Sequence, residues 1–169
     1  MTTFDIAPGE VVYFMSKSVS LFIPCLVDQV MPEVGVAMVR LLRHAGFEVS
    51  YNPDQTCCGQ PGFNAGHRDE ARKVACHCLD AFKDAACIVS PSGSCAAMMR
   101  KYYRELFEGH SRQQEAVAHG KRVFELSEFL AKEGKLEAFK GSFSGKVGVH
   151  TSCHTLRELG ISEEPMALI

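Results

Sequence analysis

The sequence lacks a strong excess of either charge. Its 169 residues carry 18 lysines and arginines against 20 aspartates and glutamates, for a formal net charge of -2 at pH 7. This balance gives no reason to expect binding to nucleic acid or to an anionic membrane surface. The chain also lacks an apolar stretch long enough to span a bilayer, and its first residues lack the basic and apolar regions of a secretory signal. We therefore expect a cytoplasmic protein without membrane insertion.

Motifs of nucleotide and dithiol chemistry are missing as well. The sequence contains neither a GxGxxG fingerprint nor a P-loop, so it shows no sign of nicotinamide or nucleotide chemistry of its own. It contains no CxxC, the motif typical of thiol-disulfide oxidoreductases. Vicinal cysteines close only a strained ring, which disfavours a thiol-disulfide enzyme further.

What the chain does contain is eight cysteines. In a reducing cytoplasm, clustered cysteines favour metal binding or catalysis over structural disulfides. Cys57 and Cys58 are adjacent and are followed by Gly59, with Pro61 and Gly62 close behind. Neighbouring side chains of an extended strand point to opposite faces, so both thiols serve one centre only where the backbone bends. Taken alone, the dipeptide also fits two small buried side chains.

Strand-like and helix-like segments alternate along the chain. The predicted strands are residues 19–24, 47–51, 87–90 and 146–151. The predicted helices are residues 32–45, 67–83 and 96–107, a helical piece over 122–133 and a short helical start near residue 156, with a solvated loop or ragged helix end over 108–120. This alternation predicts an α/β fold of the Rossmann or flavodoxin type, in which an open, mainly parallel sheet carries helices on both faces.

The predicted topology divides the cysteines into candidate ligands and core residues. Ligands of parallel sheets gather at the carboxyl ends of the strands. The cysteines at or just beyond those ends are Cys25, Cys57, Cys58, Cys95 and Cys153. By contrast, Cys78 falls on the apolar stripe of its helix and Cys87 begins a strand, so both are interpreted as core residues, and Cys76 lies off that stripe. Four thiolates at one edge predict an iron-sulfur cluster or a tetrahedral zinc, and their softness excludes magnesium and calcium.

Four short motifs carry a resemblance to a known family. They are residues 20–28 (SLFIPCLVD), 57–61 (CCGQP), 90–95 (SPSGSC) and 150–154 (HTSCH). Together they resemble the cysteine-rich CCG-domain superfamily, which includes the cysteine-rich component of heterodisulfide reductase and the iron-sulfur component of glycolate oxidase. Within it, the likeness is to the lactate-utilisation family, and it runs from about residue 18 to the end of the chain.

The resemblance implies a ligand set. Cys25, Cys57, Cys58 and Cys95 match the first cluster-binding motif. Heterodisulfide reductase has a CxxC at the last position, whereas this chain has Ser92 where the first cysteine of that pair would be. A four-thiolate cluster of the 4Fe-4S type, or zinc in an isolated fragment, is therefore expected in place of a five-cysteine cluster.

The resemblance also implies a domain organisation. Residues 1–17 would be an N-terminal extension, residues 18–145 a first CCG domain, and residues 146–169 the start of a second, truncated one. Cys153 would open the second cysteine motif. His154 is a candidate ligand or hydrogen-bonding partner of a cluster sulfur, although a histidine at such an edge is often merely solvated. His150 and His67 are weaker candidates, and Gln60 and Asn64 are expected to line the site.

The implied function is that of an iron-sulfur electron-transfer subunit. With the other subunits of a lactate-utilisation complex, it would oxidise L-lactate to pyruvate as a component of an oxidoreductase that is not active alone. The alternative is a zinc-bound or metal-free cysteine-rich interaction domain without redox function.

Overall fold

The computed structural model of the chain describes residues 18–133, 139 and 141–169. The predicted extension over residues 1–17 lies outside these described residues. The strands are β1 (Ser18–Leu21), β2 (Glu48–Tyr51), β3 (Ile88–Ser90) and β4 (Val123–Glu125). They form one parallel sheet in the order β2-β1-β3-β4.

Helices connect and cover the strands. They are α1 (Cys25–Val30), α2 (Pro32–His44), α3 (Gln60–Asn64), α4 (Arg68–Ala81), α5 (Gly93–Ala97), α6 (Tyr103–Leu106), α7 (Gln113–Gly120), α8 (Leu126–Lys132) and α9 (Glu164–Ala167). A π-helical turn (Met98–Tyr102) joins α5 to α6, and a second one spans His154–Glu158. Among the described residues, no helix is long and apolar enough to cross a bilayer.

The sheet is covered on both faces. Successive side chains of a strand point to opposite sides, so Ile88 packs with α4 and α7 on one face while its neighbour Val89 packs with α2 and α8 on the other. In the same way, Val19 and Leu21 lie on the face of Val89, and Phe22 lies on the face of Ile88. The predicted α/β class, with an open parallel sheet and helices on both faces, is therefore confirmed.

Between residues 108 and 133, the local structure differs from the prediction in two places. Residues 122–133 do not form one helical piece, because β4 pairs with β3 through Val89 and Phe124 before α8 begins. The Glu125 side chain ends the strand by accepting the N–H groups of the first turn of α8. Within the predicted solvated region, α7 forms because Ala116 and His119, three residues apart, are both buried.

The strand predicted over residues 146–151 is wrong. This segment has no regular structure, and residues 146–150 are exposed. No strand in the described part of the chain pairs with it, and a strand without a hydrogen-bonded neighbour is not stable in water. The fourth place in the sheet is taken by β4 instead.

Candidate metal centre

Three loops at one edge of the sheet carry the predicted ligands. Cys25 is the first residue of α1, after the carboxyl end of β1. Cys57 and Cys58 lie between β2 and α3, and Cys95 lies in the first turn of α5, after β3. Because all strands are parallel, the loops after β1, β2 and β3 emerge at the same edge, and the structure brings these four cysteines together there.

The four sulfurs form a continuous chain of contacts. Cys25 Sγ lies 3.7 Å from Cys57 Sγ. The Cys58 thiol makes hydrogen-bonding contacts with the thiols of both Cys57 and Cys95. Cys25 is exposed, Cys57 is half-buried, and Cys58 and Cys95 are buried. The sulfur chain therefore runs from the protein surface into the core.

The contacts shift the pKa values of neighbouring thiols in opposite directions. The hydrogen bond from the Cys58 thiol lowers the pKa of Cys57 to about 5, and the Gly59 N–H, 3.4 Å from the sulfur, acts in the same direction. The Cys58 thiol also lowers the pKa of Cys95. The pKa of Cys58 itself is raised, first by its bond to Cys57, and burial raises the pKa of Cys25. Two thiols with a lowered pKa thus alternate with two whose pKa is raised, and a lowered pKa favours the thiolate form that binds metals.

Gly59 gives the vicinal cysteines their bend. Its φ of 86° lies in the left-handed region, which favours glycine. A Cβ at this position would lie 3.1 Å from the carbonyl oxygen of Ala71, so both the conformation and the space select glycine. The bend expected from the sequence is therefore located at this residue.

Gln55 holds the loop of the vicinal cysteines against β1. Its side-chain oxygen accepts from the N–H of Ile23 at 2.6 Å, and its side-chain nitrogen donates to the carbonyl of Leu21 at 3.1 Å. The same nitrogen donates to Asn52 within its own loop at 3.0 Å. This amide joins the segment before Cys25 to the segment before Cys57. Sequence patterns do not single out Gln55, because its partners are backbone groups of another strand.

A second supporting residue is Tyr103. Its hydroxyl is buried and donates to the carbonyl oxygen of Cys58 at 3.0 Å. Cys95, Met99 and Tyr103 follow one another at intervals of four residues. In a regular α-helix, with 3.6 residues per turn, side chains at this interval point in gradually different directions. The wider π-helical turn between α5 and α6 reduces this change of direction. Periodicity alone identifies Tyr103 only as an apolar helix position.

Gln60 connects the centre to His154. Its side-chain nitrogen lies 3.1 Å from the carbonyl oxygen of Ser94 and 3.3 Å from Nε2 of His154. A carbonyl only accepts, so Gln60 donates there and its second N–H is directed at the imidazole. His154 therefore lies one layer outside the sulfurs, and its neighbour Cys153 is exposed.

The remaining candidates lie apart from the sulfur chain. Asn64 is exposed at the end of α3, and His67 precedes α4 without capping it through its side chain. His150 lines a cleft beside the centre. Cys78 and Cys87 are buried, and burial raises the pKa of each to about 12, which suits core thiols.

Cys78 nevertheless lies nearer to the centre than its helix position indicates. Its sulfur contacts Sδ of Met99 at 3.9 Å, in the same core cluster as Cys58 and Cys95. Cys87 packs on the other face of the sheet, and Cys76 is half-buried in α4.

The donor set of the centre consists of sulfur alone. Among the described residues, no three histidine, cysteine or acidic side chains are already grouped as a site for a metal ion. The four thiols form a chain of contacts, not a closed ring. Their chemistry still fits a soft metal or an iron-sulfur cluster, since all four candidate ligands are sulfur and the pKa of two of them, Cys57 and Cys95, is lowered.

A family comparison matches the segment that holds this centre. Residues 19–100 match the family described as a cysteine-rich domain and named CCG, and the match contains all four clustered cysteines. This segment is similar to the CCG domain, and it contains the loops after β1, β2 and β3 where the sulfurs meet. No solved structure matches the chain.

Two relatives that match about nine tenths of the chain have lactate utilization in their names. Lactate utilization protein A 2 of Bacillus cereus is 42% identical over 152 residues, which is 89% of this chain and 63% of that protein. Lactate utilization protein A of Exiguobacterium is 41% identical over 154 residues, 90% of this chain and 63% of that protein. The chain thus spans 63% of the length of these relatives, and the match includes the segment that is similar to the CCG domain.

Proposed function

We propose that the CCG domain binds an iron-sulfur cluster through Cys25, Cys57, Cys58 and Cys95 and transfers electrons during the oxidation of L-lactate to pyruvate. One observation carries the cluster: thiols from three separate crossover loops meet at the carboxyl edge of a parallel sheet. The lactate role is supported by the name of the relatives, lactate utilization protein A. The protein would work in the cytoplasm, with partner subunits, as a component of an oxidoreductase.

Four thiolates suit a cluster of the 4Fe-4S type, which accepts four cysteine ligands. Ser92 stands near Cys95, where a fifth cysteine would be required for a larger ligand set, and its hydroxyl accepts the N–H of Cys95 at 3.4 Å. When bound, such a cluster accepts and releases single electrons. Cys153 and His154 would belong to a second site, in a second CCG domain that would begin near residue 146.

The residues around the sulfurs would hold and tune the centre. The Gly59 N–H donates to Cys57 Sγ at 3.4 Å, and hydrogen bonds to ligand sulfurs are one of the determinants of cluster potential. Tyr103 and Gln55 fix the backbone on either side of the vicinal pair. Burial of Cys58 and Cys95 excludes water from one side of the centre, whereas exposed Cys25 leaves a short path to a partner protein.

A second candidate is a zinc-bound interaction domain. Four sulfurs at 2.3 Å from zinc in a tetrahedron are about 3.8 Å apart. The separation of Cys25 Sγ and Cys57 Sγ, 3.7 Å, is close to that edge. In this case the metal would stabilise a docking domain without redox function.

Metal and sulfide analysis of anaerobically purified protein separates the two candidates. The cluster proposal expects about four iron atoms and a similar amount of acid-labile sulfide per chain. One zinc without sulfide would establish the interaction domain instead. Deletion of the gene in its host tests the lactate role: growth on L-lactate should fail while growth on glucose continues, and normal growth on L-lactate would contradict that role.

A further inference from the structure

Two thiols of the centre, Cys25 and Cys57, lie close together at the protein surface. Their sulfurs are 3.7 Å apart, although 32 positions separate the two residues in the sequence. A search for CxxC motifs does not find this pair, because it is the parallel sheet that brings the loops after β1 and β2 to one edge. The fold therefore provides a pair of neighbouring thiols that the sequence does not show.

Gln55 holds together the two loops that carry these thiols. Its side chain bonds the N–H of Ile23 at 2.6 Å and the carbonyl of Leu21 at 3.1 Å, in the segment just before Cys25. Gln55 itself lies two residues before Cys57. To form a bond of about 2.0 Å, the two sulfurs need to approach by about 1.7 Å, a movement within the range of a change of side-chain rotamer.

Solvent access separates this pair from the rest of the centre. Cys25 is exposed and Cys57 is half-buried, whereas Cys58 and Cys95 are buried. Because oxidation of cysteines follows their exposure, a dissolved oxidant reaches the outer pair first. Cys153 is exposed as well, but it is not one of the four thiols that form the chain of contacts.

The other thiol contacts of the centre are less suited to a disulfide. Adjacent Cα atoms are about 3.8 Å apart, below the about 4.4 Å at which the Cα separations of disulfides begin, so a bond between Cys57 and Cys58 is strained. Cys58 also contacts Cys95, but these side chains are only 2% and 8% exposed. Of the two thiols that contact Cys57, it is therefore Cys25 that is both open to solvent and free of the vicinal strain.

We infer that Cys25 and Cys57 form a reversible disulfide when the metal-free chain meets hydrogen peroxide. One sulfur attacks the peroxide, whose O–O bond breaks to give a sulfenic acid and one water. The second sulfur attacks the sulfenic sulfur, forms the S–S bond and releases the second water. The two thiols lose two electrons to one hydrogen peroxide, and their two protons leave in the two waters.

The disulfide would control when the chain can bind a metal. It engages two of the four candidate ligands and leaves only Cys58 and Cys95 as free thiols in the centre. Two molecules of a low-molecular-weight thiol reverse the step: they break the S–S bond, return both protein thiols and are themselves joined as a disulfide. This consequence rests on the proposed function, whereas the disulfide rests on the distance and the exposure of the two thiols.

Peptide mapping of the metal-free 169-residue chain tests the bond. The folded chain is treated with hydrogen peroxide at neutral pH, the remaining thiols are alkylated in urea, and fragment spectra of the unreduced peptides identify the linked cysteines. A linkage between Cys25 and Cys57 should be the main intramolecular product, and dithiothreitol should remove it. A main product between Cys57 and Cys58 or between Cys58 and Cys95, or oxidation of Cys25 to the sulfinic acid without any linkage, would overturn the inference.

A matched pair of substitutions identifies the partners. Cys25→Ser removes the exposed thiol and should abolish the linkage, so that Cys57 is recovered without an intramolecular partner. Cys76→Ser changes a half-buried cysteine away from the centre and should form the linkage at a rate within about twofold of the wild type. Equal loss of the linkage in the two variants, or an undiminished intramolecular linkage of Cys57 in Cys25→Ser, would refute the pairing.

Zinc uptake and iron-sulfur reconstitution test the consequence separately. The oxidised chain should take up less than about a tenth of the metal bound by the reduced chain, and uptake should return after reduction and removal of the reductant. Equal uptake by the two states would contradict the control of metal binding. A reduced chain that binds neither zinc nor iron would refute the cluster proposal, while a mapped linkage between Cys25 and Cys57 would still support the disulfide.

Discussion

Tyr103 donates a hydrogen bond of 3.0 Å to the carbonyl oxygen of Cys58 from a position of zero solvent exposure. The bond links the helical segment that carries Cys95 to the turn that carries the vicinal cysteines. One face of the Tyr103 ring packs against His119, with ring centres 5.9 Å apart. Tyr103 therefore supports the cysteine centre through this bond, and His119 packs against its ring although the sequence predicts a solvated segment there.

Tyr103→Phe should destabilise the metal-free protein by about 1–3 kcal/mol, because the Cys58 carbonyl loses its buried donor while the ring is kept. Urea unfolding monitored by circular dichroism measures the change. Tyr51→Phe is the matched control: Tyr51 is 53% exposed, and its change should stay within about 0.5 kcal/mol. Equal stabilities of the two variants would show that the buried bond contributes nothing.

Comparison of Gly59→Ala with Gly66→Ala distinguishes the cost of a left-handed backbone conformation from the cost of a steric clash. Both glycines have φ near 85°, at 86° and 83°, so each substitution should cost about 1 kcal/mol in the free energy of unfolding. Only at Gly59 would the new Cβ meet a backbone atom, the carbonyl oxygen of Ala71 at 3.1 Å, whereas Gly66 is open. Gly59→Ala should therefore be the more destabilising of the two and should also reduce metal uptake. Indistinguishable stability and metal content in the two variants would contradict the role given to Gly59.

The lowered pKa of Cys57, about 5, predicts unusual thiol reactivity in the metal-free protein. A thiolate persists down to that pH, so the rate of iodoacetamide labelling at Cys57 should stay nearly constant from pH 8 to pH 6 and fall only near pH 5. Peptide mapping by mass spectrometry gives the rate. In the urea-unfolded chain the same cysteine should lose about tenfold in rate per pH unit below 8. A tenfold loss per unit in the folded chain too would disprove the thiolate.

His119 predicts acid sensitivity of the fold. Its ring is buried, neither nitrogen has a hydrogen-bond partner within the part of the chain that the structure describes, and burial lowers its pKa to about 4. Arg122 nearby also disfavours the charged ring, whereas Glu115 favours it.

The folded state therefore binds a proton less readily than the unfolded state, whose histidine titrates near pH 6.5. Stability should be fully present above pH 6.5 and fall as the pH drops towards 4, by up to about 3 kcal/mol. Urea unfolding at pH 7, 5.5 and 4.5 measures the decline. His119→Phe keeps the aromatic packing and should flatten this decline; an unchanged pH profile in that variant would exclude His119 as its cause.

The sequence predicts the helices from their apolar period, as in α2 and α4, and the strands from short apolar runs, as in β1 and β3. β4 is as short as β3 but escapes detection because it ends in the charged Glu125 and continues directly into the helical pattern of α8. For residues 146–151 the error is the reverse: a strand is predicted where none forms. Strand-like composition is not sufficient, because a strand also needs a neighbouring strand to pair with.

For the site, the topology predicts which loops lie at the same edge of the sheet, and so it predicts the grouping of Cys25, Cys57, Cys58 and Cys95. The residues that support these cysteines cannot be predicted from the topology. Gln55 acts on backbone groups of another strand, and Tyr103 reaches Cys58 through a π-helical turn. Such contacts depend on where side chains lie in three dimensions. The spacing of residues along a single helix or strand does not give that information.

The claim that four sulfurs form one metal centre is tested most directly by the iron and sulfide content and the electron paramagnetic resonance spectrum of the dithionite-reduced, anaerobically purified protein. Wild-type protein and the control Cys76→Ser, changed at a cysteine away from the centre, should show the same cluster signal, and Cys57→Ser should lose most of it. A wild-type protein without iron or sulfide, or a Cys57→Ser variant with undiminished signal, would contradict the account.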